Sequence, residues 1–201
     1  MESQRTITDR ARTGIDGRGE LPYPVRAELR AALTAQGGRV AWARLERAAA
    51  LHVKDHWARR FPTEDGPWAL LDEAVRSLEN GRTLEAGDRF GHWWTYMDDA
   101  HGDAPDFRPI SAGYAALAAA ASALFESEVP QGASELDFDP YSWDACFLAS
   151  LAASGGATWE EGVGDDAARR SFWEWYIGAA EAALAPPSAA TAFSPTARTA
   201  P

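Results

Sequence analysis

Cysteine occurs once, at Cys146, so no internal disulfide can form, which agrees with a reducing compartment. Its apolar neighbours point to a buried, inert thiol rather than a nucleophile. No apolar run approaches the roughly 20 residues of a membrane span. The opening MESQRTITDRARTG lacks the hydrophobic core of a signal peptide. These absences predict a cytoplasmic protein that neither crosses nor sits in a membrane. G-x-S-x-G, the Walker loop, G-x-G-x-x-G and CxxC are all missing, so no nucleophile and base pair and no phosphate cradle can be argued.

The most informative lack is of positive charge. From Pro109 to Ala168 there is no Lys or Arg, against ten carboxylates: Glu126, Glu128, Glu135, Asp137, Asp139, Asp144, Glu160, Glu161, Asp165 and Asp166. Such a stretch cannot neutralise itself locally, so its field must be answered elsewhere in the fold or by a partner. A phosphate backbone needs Lys and Arg to displace its counterions, which excludes nucleic acid for that surface. A basic protein fits it, because complementary potentials steer encounter. A merely solvated acidic face is the plain alternative. The whole chain of 201 residues carries a formal net charge of −11.

What is present is helical patterning. Residues 1–20 mix acids, bases and glycines and read as a flexible leader; residues 186–201, rich in Pro, Ala, Thr and Ser, read as a disordered tail. Residues 21–185 read as one all-α domain, a compact array of about seven helices with no convincing strand. Pro24 suits a helix start, and Gly37-Gly38 ends the Val25–Leu33 helix. Trp42, Leu45, Ala49, Val53, Trp57 and Phe61 step by three or four residues and predict a helix from about 39 to 60, stopped by Pro62. Thr63 suits the cap of a third, with the stripe Trp68, Leu71, Val75 and Leu78. A fourth is expected over about 84–100, and an alanine-rich, central fifth from Pro109 to near Ser127. A sixth is expected from Asp139 or Pro140 to Gly155-Gly156, and a seventh from Asp165 or Asp166 to near Leu184.

Two patterns invite catalytic readings. His52-Val-Lys-Asp55-His56 places imidazoles at i and i+4, a spacing that can hold zinc, but Asp replaces the usual Glu and no third ligand is evident. Asp98-Asp99-Ala-His101-Gly-Asp103 has the residue types for Mg²⁺ and a diphosphate. Its spacing is one residue too long, and no partner motif exists. Packing histidines and acids clustered at a helix end explain both more simply.

Nine tryptophans remain, most of them on helical stripes and so expected in the core. Trp159 differs: it stands in the Gly-rich acidic loop 155–164, where it can anchor an interface inside a charged rim or fold back to plug the core.

Three segments together resemble a known family: DHWARRFPTEDGPWALLDE at Asp55–Glu73, DPYSWDACFLASLAASGG at Asp139–Gly156 and RRSFWEWYIGAA at Arg169–Ala180. With SAGYAALAAAASAL between them, the chain from about Arg39 to Leu184 is similar to the fifth numbered family of immunity proteins of bacterial polymorphic toxin systems. The leader and tail fall outside this likeness. It implies an all-α, non-enzymatic protein without cofactor that binds and blocks a cognate toxin. Combined with the charge, it makes the expected partner a basic toxin domain, such as a nuclease. Asp98, Asp99, Asp137, Asp139, Glu160 and Glu161 are the expected contacts, with Trp159 as the apolar anchor. A general helical interaction module and a small His/Asp metalloenzyme are the competing classes, and oligomeric state stays open.

Overall fold

The alanine-rich segment becomes the centre of the molecule. The computed structural model describes residues 2–102, 106–125, 132, 134–160 and 162–185. It contains eight α-helices: α1 Glu2–Gly14, α2 Tyr23–His52, α3 Lys54–Arg60, α4 Gly66–Glu79, α5 Gly87–Gly102, α6 Arg108–Leu124, α7 Ala145–Ser154 and α8 Asp166–Leu184. Two 3-10 turns, Glu135–Asp137 and Pro140–Ser142, precede α7, and no strand occurs among the described residues.

Helix α6 packs against α2, α3, α4, α5 and α7. Ala112, Ala115, Ala116, Ala119, Ala120 and Ala123 on it are buried, and their small side chains let five neighbours come close at little cost in helix propensity. A second hub is α8, which packs on α1, α2 and α7. Its FWEWY run contributes Phe172, Trp173 and Tyr176 to the interior. Trp42, Trp57 and Trp68 are buried as their stripes require, while Trp93, Trp94 and Trp175 are half-buried against the core.

Several expectations change. Residues 1–20 are not a loose leader throughout: Ile7, Thr8, Ala11 and Ile15 lie on one face of α1 or just past its end, and Thr8 and Ala11 are buried. That face packs on α8, and the Arg12–Glu181 ion pair ties the two helices. Asp9 and Arg10 of α1 stay exposed. The break at Gly38 is present, with φ 66° and ψ −168°, a conformation that glycine adopts without a side-chain penalty. The helix expected over 39–60 is interrupted, because α2 stops at His52 and α3 restarts at Lys54. Val53 and Trp57 are both buried on either side of the break, so the stripe passes through a turn that periodicity alone cannot reveal. Helix α4 is entered at Asp65 rather than Thr63. The sixth expected helix is a 3-10 turn at Pro140–Ser142 followed by α7, whose true cap is Asp144: its Oδ1 accepts the Phe147 N–H at 2.7 Å.

Candidate functional site

The carboxylates of the cation-free stretch meet two fates. Glu135 and Asp144 turn inward onto Arg26 of α2, which is buried. Asp144 Oδ2 lies 3.3 Å from Arg26 Nε, Glu135 accepts from its Nη2, and the Leu21 carbonyl accepts from its Nη1 at 2.7 Å. The guanidinium also lies 5.2 to 5.5 Å from the ring centres of Phe147, Trp173 and Tyr23. A second buried guanidinium, Arg169 of α8, donates to the carbonyls of Arg18 and Gly156 at 2.9 and 2.8 Å and to Asp166 at 2.8 Å. Two other carboxylates enter this interior, Glu20 and Glu46. Burial pushes Glu20 up to about 7, partly offset by Arg26, and burial with the nearby Asp144 charge pushes Glu46 up to about 8. Glu46 still accepts the Ala145 N–H at 2.8 Å. Part of the acidic stretch's field is thus answered by arginines from outside the stretch, Arg26 for Glu135 and Asp144 and Arg169 for Asp166.

Glu160 of the stretch, with Asp98 from α5, borders a cleft of about 420 Å³ between α5, α6, α7 and the loop after α7. Helix α5 supplies Trp94, Asp98 and His101; Tyr114 comes from α6, and Phe107 from just before it. The opposite wall is Tyr141, Trp143, Trp159 and Glu160, with Leu148 and Leu151 of α7 behind. No Lys or Arg among the described residues lines it. Phe107, Tyr141 and Trp159 are 47, 62 and 40% exposed, three of seven large apolar side chains so exposed among the described residues. Their clustering is the unusual feature, since scattered ones need no explanation.

Local bonds fix this geometry. The Tyr114 hydroxyl donates to Asp98 Oδ1, and burial with that bond raises the phenol well above its ordinary value. Glu160 Oε2 accepts the Ala157 N–H at 2.9 Å. Asp98 and Glu160 each keep their second oxygen without a hydrogen-bond partner among the described residues. The Trp159 ring stacks on Phe147 at 5.8 Å and lies 5.8 Å from Trp143, so one part is packed and another open. It serves neither as a core plug alone nor as a free loop residue. Gly155, at φ 82°, ends α7 in the left-handed conformation and turns the chain toward Trp159. Arg108 covers that turn without lining the cleft and pairs with Asp106 at 3.7 Å.

Of the residues singled out from sequence, the cleft brings together Asp98, Trp159 and Glu160. Asp99 is exposed on α5 and does not line the cleft. Asp137 and Asp139 are exposed but committed locally: Asp137 Oδ2 accepts the Ser134 N–H at 2.9 Å, and Asp139 Oδ1 accepts the Tyr141 N–H at 2.9 Å. Asp139 therefore holds the turn that presents Tyr141. Glu161 and Asp103 lie outside the described residues. Sequence reasoning missed Tyr141, Trp143, Phe107 and Trp94 as cleft walls. The available signal was the Pro-Tyr-Ser-Trp run at 140–143, two aromatics in a non-helical segment with no stripe to join.

Beyond the Trp94–Tyr141 contact, at 5.4 Å between ring centres, a second cavity of about 450 Å³ opens toward Tyr23, Arg30, Trp42 and Phe125. Trp94, Tyr141 and Trp143 line both.

The histidine pair does not assemble as a site. His52 stacks on Trp175 at 3.9 Å and belongs to α2, whereas His56 belongs to α3; burial lowers both imidazoles below their ordinary value. Among the described residues no three His, Cys, Asp or Glu side chains converge as metal ligands would. No helix among them is long and apolar enough to cross a membrane.

No curated protein matches the chain in comparison. The family model described as "Immunity protein Imm5" matches residues 9–182, taking in the C-terminal part of α1 as well as the three motif segments. That match, over most of an all-α chain, shows that the chain belongs to the Imm5 immunity protein family.

Proposed function

We propose that this protein captures a cognate toxin domain in a stoichiometric complex and blocks it, acting in the cytoplasm, with the aromatic cleft and its acidic rim as the docking face. The observation that carries the reading is the clustering of Phe107, Tyr141 and Trp159 around a cleft bordered by Asp98 and Glu160. Energetic anchors of protein interfaces are aromatic side chains near the centre of a patch, inside a polar rim that excludes water. Here the anchors are already held in place, Tyr141 by the Asp139 cap and Trp159 by Phe147, so little ordering is left to oppose association. The acidic rim selects a basic toxin surface and raises the association rate, toward about 10⁸ M⁻¹s⁻¹ at low salt. A basic surface that normally holds an anionic substrate, as in a nuclease, would be covered directly.

The test is co-expression of this chain with the C-terminal domain of the large open reading frame encoded beside it. Relief of growth arrest by the wild-type chain and co-purification of the pair are expected. Tyr141→Ala should lose rescue while keeping its fold by circular dichroism. Rescue that survives both Tyr141→Ala and Trp159→Ala moves the docking face elsewhere on the molecule.

A further inference from the structure

Arg26 shows what this protein uses to hold a guanidinium: carboxylates from separate segments, Glu20, Glu135 and Asp144, and the faces of three aromatic rings. The cleft presents the same two kinds of group. Asp98 and Glu160 come from different walls, each with one oxygen engaged locally, and Trp94, Tyr141, Trp143 and Trp159 supply aromatic surface. No Lys or Arg among the described residues lines it; the nearby Arg108 is turned to Gly155 and Asp106. Phe147 joins the two places, lying under Arg26 and stacking with Trp159.

We propose that the cleft is a receptor for an arginine side chain of the partner protein, its guanidinium stacked on the aromatic walls and paired with Asp98 and Glu160. This rests on the cleft being the docking face. Arginine fits better than lysine because a planar, weakly hydrated guanidinium stacks on rings and bonds carboxylates through a fork of donors, whereas an ammonium remains strongly hydrated. The apolar floor of Leu148 and Leu151 suits the methylene stem. A volume of about 420 Å³ accommodates one long side chain with its flanking backbone.

The experiment titrates the full-length ¹⁵N-labelled chain at constant ionic strength with three probes: n-butylguanidinium, n-butylammonium and the neutral n-butylurea. The indole N–H signals of Trp94, Trp143 and Trp159, assigned by single Trp→Phe substitutions, report binding. Butylguanidinium is expected to bind about tenfold tighter than butylurea and severalfold tighter than butylammonium. The double substitution Asp98→Asn and Glu160→Gln, which preserves both local acceptors, should weaken butylguanidinium about tenfold, and Asp99→Asn should leave it unchanged. Equal affinity for the neutral probe, equal affinity for butylammonium, or binding indifferent to the double substitution overturns the assignment. The toxin-capture assay is independent of these probes. Capture that depends on Tyr141 together with no butylguanidinium binding keeps the docking face and discards the arginine.

Discussion

The interior around Arg26 and Arg169 and the cleft around Trp159 are made of the same materials under opposite rules. Both place carboxylates against aromatic rings, Glu135 and Asp144 in the interior and Asp98 and Glu160 in the cleft. In the interior every guanidinium has been supplied by α2 or α8, and the surplus carboxylates respond by shifting upward in pKa. In the cleft no Lys or Arg among the described residues is supplied, the acids remain at the surface, and the rings stay open. The difference teaches that acidity in this sequence is not one property. Part of it organises the fold, and only the part without an internal answer is available to a partner.

The strongest way to break the comparison is to remove the interior cation. Arg26→Met strands Glu135 and Asp144 beside each other in a buried site, and a loss of about 3–5 kcal/mol is expected in urea denaturation. If the loss stays below about 1 kcal/mol, the interior pairs are not what holds these segments together.

Removing the second arginine tests how the two regions are joined. Arg169 holds the Gly156 carbonyl, in the loop that carries Trp159. Arg169→Met should cost roughly 3 kcal/mol and accelerate amide exchange over 156–160 in the same variant.

The surplus interior carboxylates give the comparison a pH dependence. Glu46 is raised from the ordinary carboxylate range to about 8, so the folded state holds a proton that the unfolded state has released. Its contribution is fully present below about pH 4.5 and is lost as pH rises through about 8. Glu20, at about 7, acts in the same direction. Glu46→Gln should flatten the decline, with a relative gain of roughly 2 kcal/mol at pH 9 and little change at pH 5. A decline equally steep in the variant would assign the titration to another group.

The smallest effects on stability belong to the cleft. Tyr141→Ala should cost under about 1 kcal/mol because the side chain is largely exposed, while weakening toxin capture by about 10- to 100-fold. Asp137→Lys with Asp139→Lys should slow association and flatten its salt dependence. It also removes two local caps, so about 1 kcal/mol of stability should go with it. Asp139→Asn separates the two effects by keeping the acceptor and dropping the charge.

The helices that bury long stripes were legible in sequence, since a repeat of tryptophan and leucine at three- and four-residue steps admits little else. The central place of α6 followed from its alanines. The interruption at Val53 was not legible, because a turn that keeps both flanking residues buried leaves the periodicity intact. Helix α1 was hidden for a different reason: its buried face is made of Thr8, Ala11 and one or two isoleucines, too little apolar area to stand out from the charges around it. In the candidate site, charge and an unstriped tryptophan pointed to Asp98, Trp159 and Glu160. Tyr141 and Phe107 reach the same cleft from segments more than 30 residues apart in the chain, a convergence that only the packing of α5, α6 and α7 creates. The pairing of Asp144 with Arg26 was not legible either, since 118 residues separate them in the chain.

The order in which α8 enters the chain has a kinetic meaning. The cleft is assembled from residues 94–160, whereas the interior joins residues 18–46 to residues 135–176, across separations of 99 to 151 residues in the bonds that close it. Long loops are entropically slow to close, so the helices around α6 can condense while the charged interior still waits for its last arginine. Until α8 docks, Glu20 has lost one of its two cations and the loop bearing Trp159 has lost its tether at Gly156. A chain stopped short of α8 would therefore carry the cleft's residues without the rigidity that makes them a receptor.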